Sequence, residues 1–214
     1  MTNTLTIALW ASNLAAAVAD LAAWVQIVEA RMVEAKAAGA AILLLPEYAS
    51  AQWLRFAPAD LPEHREIPWL ADYAEAALQA LAPLPARHGV ALLAGTIPAH
   101  CPAATPPLRN RAHLLLPDGR TSTQDKLSLT PDERDPAAWN LAPGTRLQIV
   151  EWQGLRLAVV ICLDIELPAL AARLAPFELD LVLVPSMTSG GGFWRVSSCC
   201  RARAVELFTV VAMV

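Results

Sequence analysis

Residues 4–10 read T-L-T-I-A-L-W, an alternation close to period two that predicts a strand with one covered face. Ser12 or Asn13 then stands ready as a helix N-cap, its side-chain oxygen accepting a free backbone N–H. Leu14, Val18, Leu21, Val25, Val28, Met32 and Ala35 recur at four-then-three spacing, which predicts a helix with an apolar face, and Gly39 supplies its stop. Residues 41–45, AILLL, form an unbroken apolar run, as in a strand covered on both faces, and the run ends in Pro46-Glu47. A proline-bearing polar loop leads to a helix over about residues 69–81, which Pro83 and Pro85 keep from continuing, and residues 90–94 predict another buried strand.

Two hairpins follow, each with glycine in its turn. Residues 111–116 and 120–124 flank Pro117-Asp118-Gly119, and residues 147–152 and 155–161 flank Gln153-Gly154. The remaining pattern predicts helices over 168–174 and 194–206 and strands over 179–184 and 208–214. Helices thus alternate with largely buried strands, and hairpins are mixed in, which gives an α/β class with mixed sheets. There is no internal repeat, and the Pro-rich stretch 101–107 is short enough to be a loop, so one domain over residues 1–214 is expected.

Composition narrows the function classes. The chain is 56% hydrophobic, yet much of this is alanine, and no stretch reaches the ~18 consecutive apolar residues of a membrane helix. The opening Met1-Thr2-Asn3-Thr4 lacks the basic start, apolar run and small-residue site of a secretory leader. A formal charge of -4, with 16 dispersed Lys and Arg, speaks against a nucleic-acid binder and for small-molecule chemistry or protein contacts. Cys101, Cys162, Cys199 and Cys200 show no CxxC spacing, and the four histidines form no ligand motif, so no metal is expected and a reducing, cytoplasmic setting is. No G-x-S-x-G elbow occurs. Gly190-Gly191-Gly192 matches no phosphate-cradle pattern and reads as a flexible loop bordering a pocket.

Candidate chemistry sits at three strand ends: Glu47 after LLLP, Lys126 after the second strand of the first hairpin, and Cys162 after LAVVI. Taken singly, Cys162 reads more readily as a small buried hydrophobe than as a nucleophile at a strand tip. Together the three residue types suit acyl transfer from an amide. A thiolate attacks carbon, a carboxylate takes and returns the proton, and an ammonium stabilises the oxyanion. Asp164 and Glu166, two apart before Pro168, read as supports that fix the turn after Cys162 through backbone hydrogen bonds.

Spacing alone does not bring these residues together. The ordered strings LLLPEYAS, DKLSLTPDE, WNLAPG and VVICLDIELP, followed by VLVPSMTS and CRARAVELFTVVA, resemble the nitrilase superfamily of carbon-nitrogen hydrolases over nearly the whole chain. The resemblance implies Glu47 as general base and then acid, Lys126 as cationic stabiliser, Cys162 as nucleophile, Leu163 N–H as oxyanion donor and Glu133 as a supporting acid. It implies hydrolysis of a small non-peptide carbon-nitrogen bond, a carboxamide first and a nitrile or N-carbamoyl group on the same site as the alternative. A non-catalytic interaction protein that keeps the fold is the reading from a different class. No cofactor is implied. The implied fold is an α-β-β-α sandwich of two mixed sheets, commonly assembled as a homodimer or larger homo-oligomer. Leu163 and Glu166 stand where many members carry an aromatic residue and an arginine. Members usually continue beyond the position of Val214, so the resemblance implies a domain lacking its C-terminal part. Tyr48, Trp53, Met187 and Thr188 are the expected pocket residues.

Overall fold

The computed structural model describes residues 4–214. Its first sheet has the order β1 (Ile7–Leu9), β2 (Ile42–Leu44), β3 (Ala91–His100), β4 (Leu108–Leu115) and β5 (Thr121–Asp125). The first three strands are parallel and the last two antiparallel. The second sheet has the order β6 (Ile149–Trp152), β7 (Leu155–Val159), β8 (Leu181–Val184) and β9 (Val210–Met213), with a β6–β7 hairpin followed by parallel pairs.

The layering follows from the two-sided hydrophobicity of the central strands. Successive side chains of a strand point to opposite faces. In β2, Ile42 and Leu44 pack between the sheets against Leu157, Val159 and Leu183, while Leu43 packs outward beneath the helices. Helices α1 (Leu21–Ala37), α2 (Glu63–Leu81) and α3 (Leu84–His88) cover that outer face, and Trp24, Val28, Leu70 and Leu84 fill the contact. A single helical turn, α4 (Pro131–Arg134), follows β5. The outer face of the second sheet, including Val160, Val182 and Val184, lies under α5 (Pro168–Leu174) and α6 (Gly190–Glu206). The four-layer sandwich expected from the sequence is thus the observed fold.

Several boundaries differ. The α1 cap is Asp20, whose carboxylate accepts the Ala23 N–H at 2.7 Å, whereas Asn13 closes a local turn by accepting the Ala15 N–H at 3.0 Å. Leu14 and Val18 therefore precede the helix, and its buried stripe is Trp24, Val28, Met32 and Ala35. α2 starts at Glu63, and Glu63 and Glu66 complement its positive end. The prolines after it open the short α3. The stretch expected as a flexible glycine loop is the first turn of α6. A Cβ at position 192 would meet the Thr188 side chain, whose hydroxyl would have to turn aside.

Candidate active site

The geometry around Glu47 begins with a bulge. β3 shifts register between Leu93 and Thr96, and Gly95, at φ +69°, tucks under Pro46 where any Cβ would meet the Pro46 carbonyl oxygen. Leu45 N–H still donates to Leu93 O at 2.9 Å, so β2 is held to its end. Past the bulge, Thr96 Oγ1 accepts the Tyr48 N–H at 2.8 Å, and Tyr48 turns the chain at φ +51°. The chain reverses over β3 and leaves the Glu47 side chain buried at 2% exposure.

Lys126 follows β5, and its N–H donates to Asn110 O at 2.9 Å across the hairpin. Its ammonium lies 2.7 Å from both Glu47 Oε1 and Glu133 Oε2. Glu133 sits on the α4 turn in a reciprocal cap: its N–H donates to Thr130 Oγ1, and its Oε2 accepts the Thr130 N–H at 2.8 Å. Asn110 Nδ2 bridges the carboxylates, donating to Glu47 Oε1 at 2.9 Å and Glu133 Oε1 at 3.0 Å, and Tyr48 OH donates to Glu133 Oε1 at 2.7 Å.

Cys162 arrives from the other sheet. Two bonds along β8 hold the segment beyond β7, Val160 N–H to Leu183 O at 2.9 Å and Cys162 N–H to Pro185 O at 3.0 Å. Cys162 then opens a 3-10 turn at φ +45°, a left-handed conformation that is uncommon for a residue with a side chain. Asp164 buttresses this turn from one side, accepting the Leu127 N–H at 3.0 Å and the Ser128 N–H at 2.6 Å, which ties it to the segment after Lys126. Arg203 of α6 holds the other side, donating from Nε to Ile165 O at 3.0 Å. The thiol lies near Met187 O at 3.8 Å and accepts from Ser186 OH at 3.2 Å. Met187 N–H donates to Glu47 Oε2 at 3.0 Å, so one backbone segment touches both the carboxylate and the thiol. Leu163 N–H has no backbone acceptor among the described residues.

Electrostatics separate these groups. Burial pushes the Cys162 thiol up to about 12, and the adjacent Glu47 charge adds to this. Burial likewise raises Glu47 above its ordinary value, against the pull of Lys126 and with the push of Glu133. Burial disfavours the Lys126 ammonium, but Glu47 and Glu133 overcome this and hold it protonated. For Glu133 burial is likewise overcome, by Lys126, and its carboxyl stays below the ordinary range. A protonated thiol therefore faces Glu47, and the Lys126 ammonium beside them spends two of its three donors.

The structure thus gathers Glu47, Tyr48, Lys126, Glu133, Cys162 and the Met187 backbone in one place. It does not bring Trp53 there. That ring is buried in the helix–sheet core, edge-on to Trp24 with ring centroids 5.2 Å apart. Thr188 is exposed beside the first turn of α6, and no hydrogen bond joins it to the cluster among the described residues. Glu166 supports the turn only indirectly: its carboxylate pairs with Arg195 at 2.6 Å, and Arg203 holds its carbonyl. Sequence reasoning missed Asn110, Ser186 and Arg203. Asn110 had one signal, a polar side chain on the inward face of an alternating strand whose neighbours on that face are apolar.

The family model for carbon-nitrogen hydrolases matches residues 6–213. A probable hydrolase of Bacillus subtilis is 28% identical over 79% of this chain and 32% of its own length. An (R)-stereoselective amidase of a Pseudomonas species is 34% identical over 48% of this chain and 36% of its own length. The chain spans about a third of the length of these two curated relatives. In fold it is similar to an amidase from Nesterenkonia sp. AN1, solved with acrylamide added to the active-site cysteine, at a TM-score of 0.77 and 22% identity, covering 98% of this chain and 78% of that one. On the family match over almost its whole length, this chain belongs to the carbon-nitrogen hydrolase family.

Proposed function

We propose that the protein hydrolyses a small, non-peptide carboxamide to carboxylate and ammonia through an acyl-thioester on Cys162. The observation that carries this reading is the shared cation: Lys126 joins Glu47 to Glu133, while Met187 N–H holds the other Glu47 oxygen beside Cys162. Because the resting thiol is protonated, the proton leaves as the sulfur attacks. Glu47 accepts that proton while the Cys162 sulfur bonds to the amide carbon. The oxygen of the tetrahedral adduct gains negative charge and is met by the Leu163 N–H and the third Lys126 proton. Glu47 returns the proton to the nitrogen, the C–N bond breaks and ammonia departs. Water then attacks the thioester, giving one proton to Glu47, and collapse releases the carboxylate and restores the thiol. Asn110, Tyr48 and Glu133 hold the charge pair in register.

A groove of about 500 Å3 beside the nucleophile turn, lined by Leu127, Leu129, Leu141, Leu163 and Leu167 with Arg134, suits an apolar substituent on the substrate. Amidases among the relatives support the amide over the nitrile and N-carbamoyl alternatives. Among the described residues no helix is long and apolar enough to cross a membrane, and four free thiols fit a reducing, cytoplasmic setting. Exposed Phe193, Trp194, Val205 and Phe208 give an apolar surface to the homo-oligomer we propose. The test is ammonia release from a panel of carboxamides, nitriles and N-carbamoyl compounds, compared with Cys162→Ala. Fastest release from carboxamides, absent in the variant, is expected. Full turnover by the variant, or none by the unaltered protein on any compound, overturns the reading.

A further inference from the structure

The reverse face of the β4–β5 hairpin carries a second charged cluster that the amide chemistry leaves unused. Side chains alternate along β4, so Asn110 faces the space between the sheets while Arg109 and Arg111 face the opposite side. Asp125 stands opposite Arg111 in β5 and accepts from Arg111 Nε at 2.6 Å, Arg111 Nη2 at 3.2 Å and Arg109 Nη1 at 2.8 Å. One carboxylate is thereby shared between two guanidiniums.

Next to Asp125 lies a recess of about 320 Å3, lined by Arg109, Thr123, Asp125, Thr145, Arg146 and Gln148 among others. Arg146 forms no ion pair among the described residues. The Nε of Arg109 is buried and has no acceptor among them either. A buried charged donor without a partner is costly to the fold, and an acceptor entering the recess removes that cost. Within the lining, the guanidiniums of Arg109 and Arg146 against the single carboxylate of Asp125 leave an excess of one positive charge, which favours an anion. Guanidinium forks fit phosphate oxygens, and the Thr123 and Thr145 hydroxyls and the Gln148 amide supply neutral donors around them.

We propose that this recess binds a small phosphate-type oxyanion, either free phosphate or the phosphate of a phosphorylated small molecule. The site is separate from Cys162 and rests on none of the amide chemistry. It lies behind the hairpin that bears Asn110 and leads into Lys126.

The test is calorimetric titration of the intact protein with inorganic phosphate, glycerol 3-phosphate and acetate, at an ionic strength held constant with chloride. Saturable one-to-one binding of phosphate is expected, weakened at least tenfold by Arg146→Gln and by Arg109→Lys, the latter keeping the charge but losing the fork. Tighter binding of glycerol 3-phosphate than of phosphate assigns the recess to phosphorylated small molecules, and equal affinity assigns it to the free ion. Arg146 is exposed and makes no hydrogen bond through its side chain among the described residues, so its variant decides the matter even if Arg109→Lys fails to fold. Phosphate heats no different from chloride, acetate bound as tightly as phosphate, or unchanged phosphate affinity in Arg146→Gln overturns the proposal.

Discussion

The two halves of the candidate site are built on different principles. The first-sheet half, Glu47, Lys126, Glu133 and Asn110, is defined by charge: an ammonium and two carboxylates, all at 2% exposure or less, are joined by short ion pairs and bridged by an amide. The second-sheet half, Cys162 with Ser186 and Met187, contains no second charged partner on its own sheet and is defined by backbone shape. There a left-handed residue opens a turn that Asp164 and Arg203 hold from outside. The difference teaches where each half is vulnerable. Removing a charge from the first uncovers its partners in a medium of low polarity, whereas loosening the second lets the sulfur drift from the carboxylate while the fold survives.

Glu47→Gln tests the charged half most severely in function. Ammonia release is expected to fall by roughly 10³-fold, within the range for loss of a positioned acid–base group, with a smaller change in melting temperature than in rate. Lys126→Met tests the same half in stability. It leaves two buried carboxylates unpaired, and the denaturant midpoint is expected to report a loss of about 3–5 kcal/mol. Arg203→Met probes the shaped half. It strips donors from the Ile165 and Glu166 carbonyls, and kcat is expected to fall about tenfold with KM little changed, since a small misplacement of the sulfur lowers the rate more than binding. Arg203→Lys should restore part of that loss. A purely structural role for Arg203 would lower the melting temperature and leave kcat per folded molecule intact.

The pH profile separates the halves further. The proposed mechanism requires Glu47 to be ionised to act as a base, and its carboxyl is raised above the ordinary value of 4.5, so kcat/KM should fall as pH drops, with an inflection above 4.5. His113, on the outer face of β4, gives an opposite check through stability. Burial lowers it from 6.5 to about 4, so the unfolded chain binds its proton first and stability should decline as pH falls from about 6.5 toward 4. In His113→Gln that part of the decline should vanish while the acid limb of activity stays in place. Smallest of all, Tyr48→Phe removes one of several bonds to Glu133 and should cost about 1 kcal/mol in chemical denaturation, with activity reduced only severalfold.

Three residues of the site were legible because they stand at discontinuities of hydrophobicity. Glu47 and Cys162 each follow an apolar run, and Lys126 ends a hairpin, so their strand-end placement needed only periodicity. That they meet was legible only by resemblance, because the contact joins residues 79 apart in Lys126–Glu47 and crosses from one sheet to the other at Cys162. Asn110 and Ser186 were hidden because a single polar residue inside or just beyond a strand is as compatible with a solvated face as with a hub. Asp20 was missed because Ser12 and Asn13 satisfy the same capping preference, and the choice between them depends on where Trp24 must pack. Trp53 drew attention as an aromatic near Glu47, but helix–sheet packing took it into the core.

One measurement bears most directly on the central claim that Cys162 carries the acyl group. The protein is mixed with a slowly turned-over carboxamide, quenched in acid, and mapped by peptide mass spectrometry. An acyl group on the peptide bearing Cys162, formed within the turnover time and absent from Cys162→Ala, is the expected result. Steady ammonia release with Cys162 unmodified throughout, or acylation confined to Cys101, Cys199 or Cys200, would contradict it.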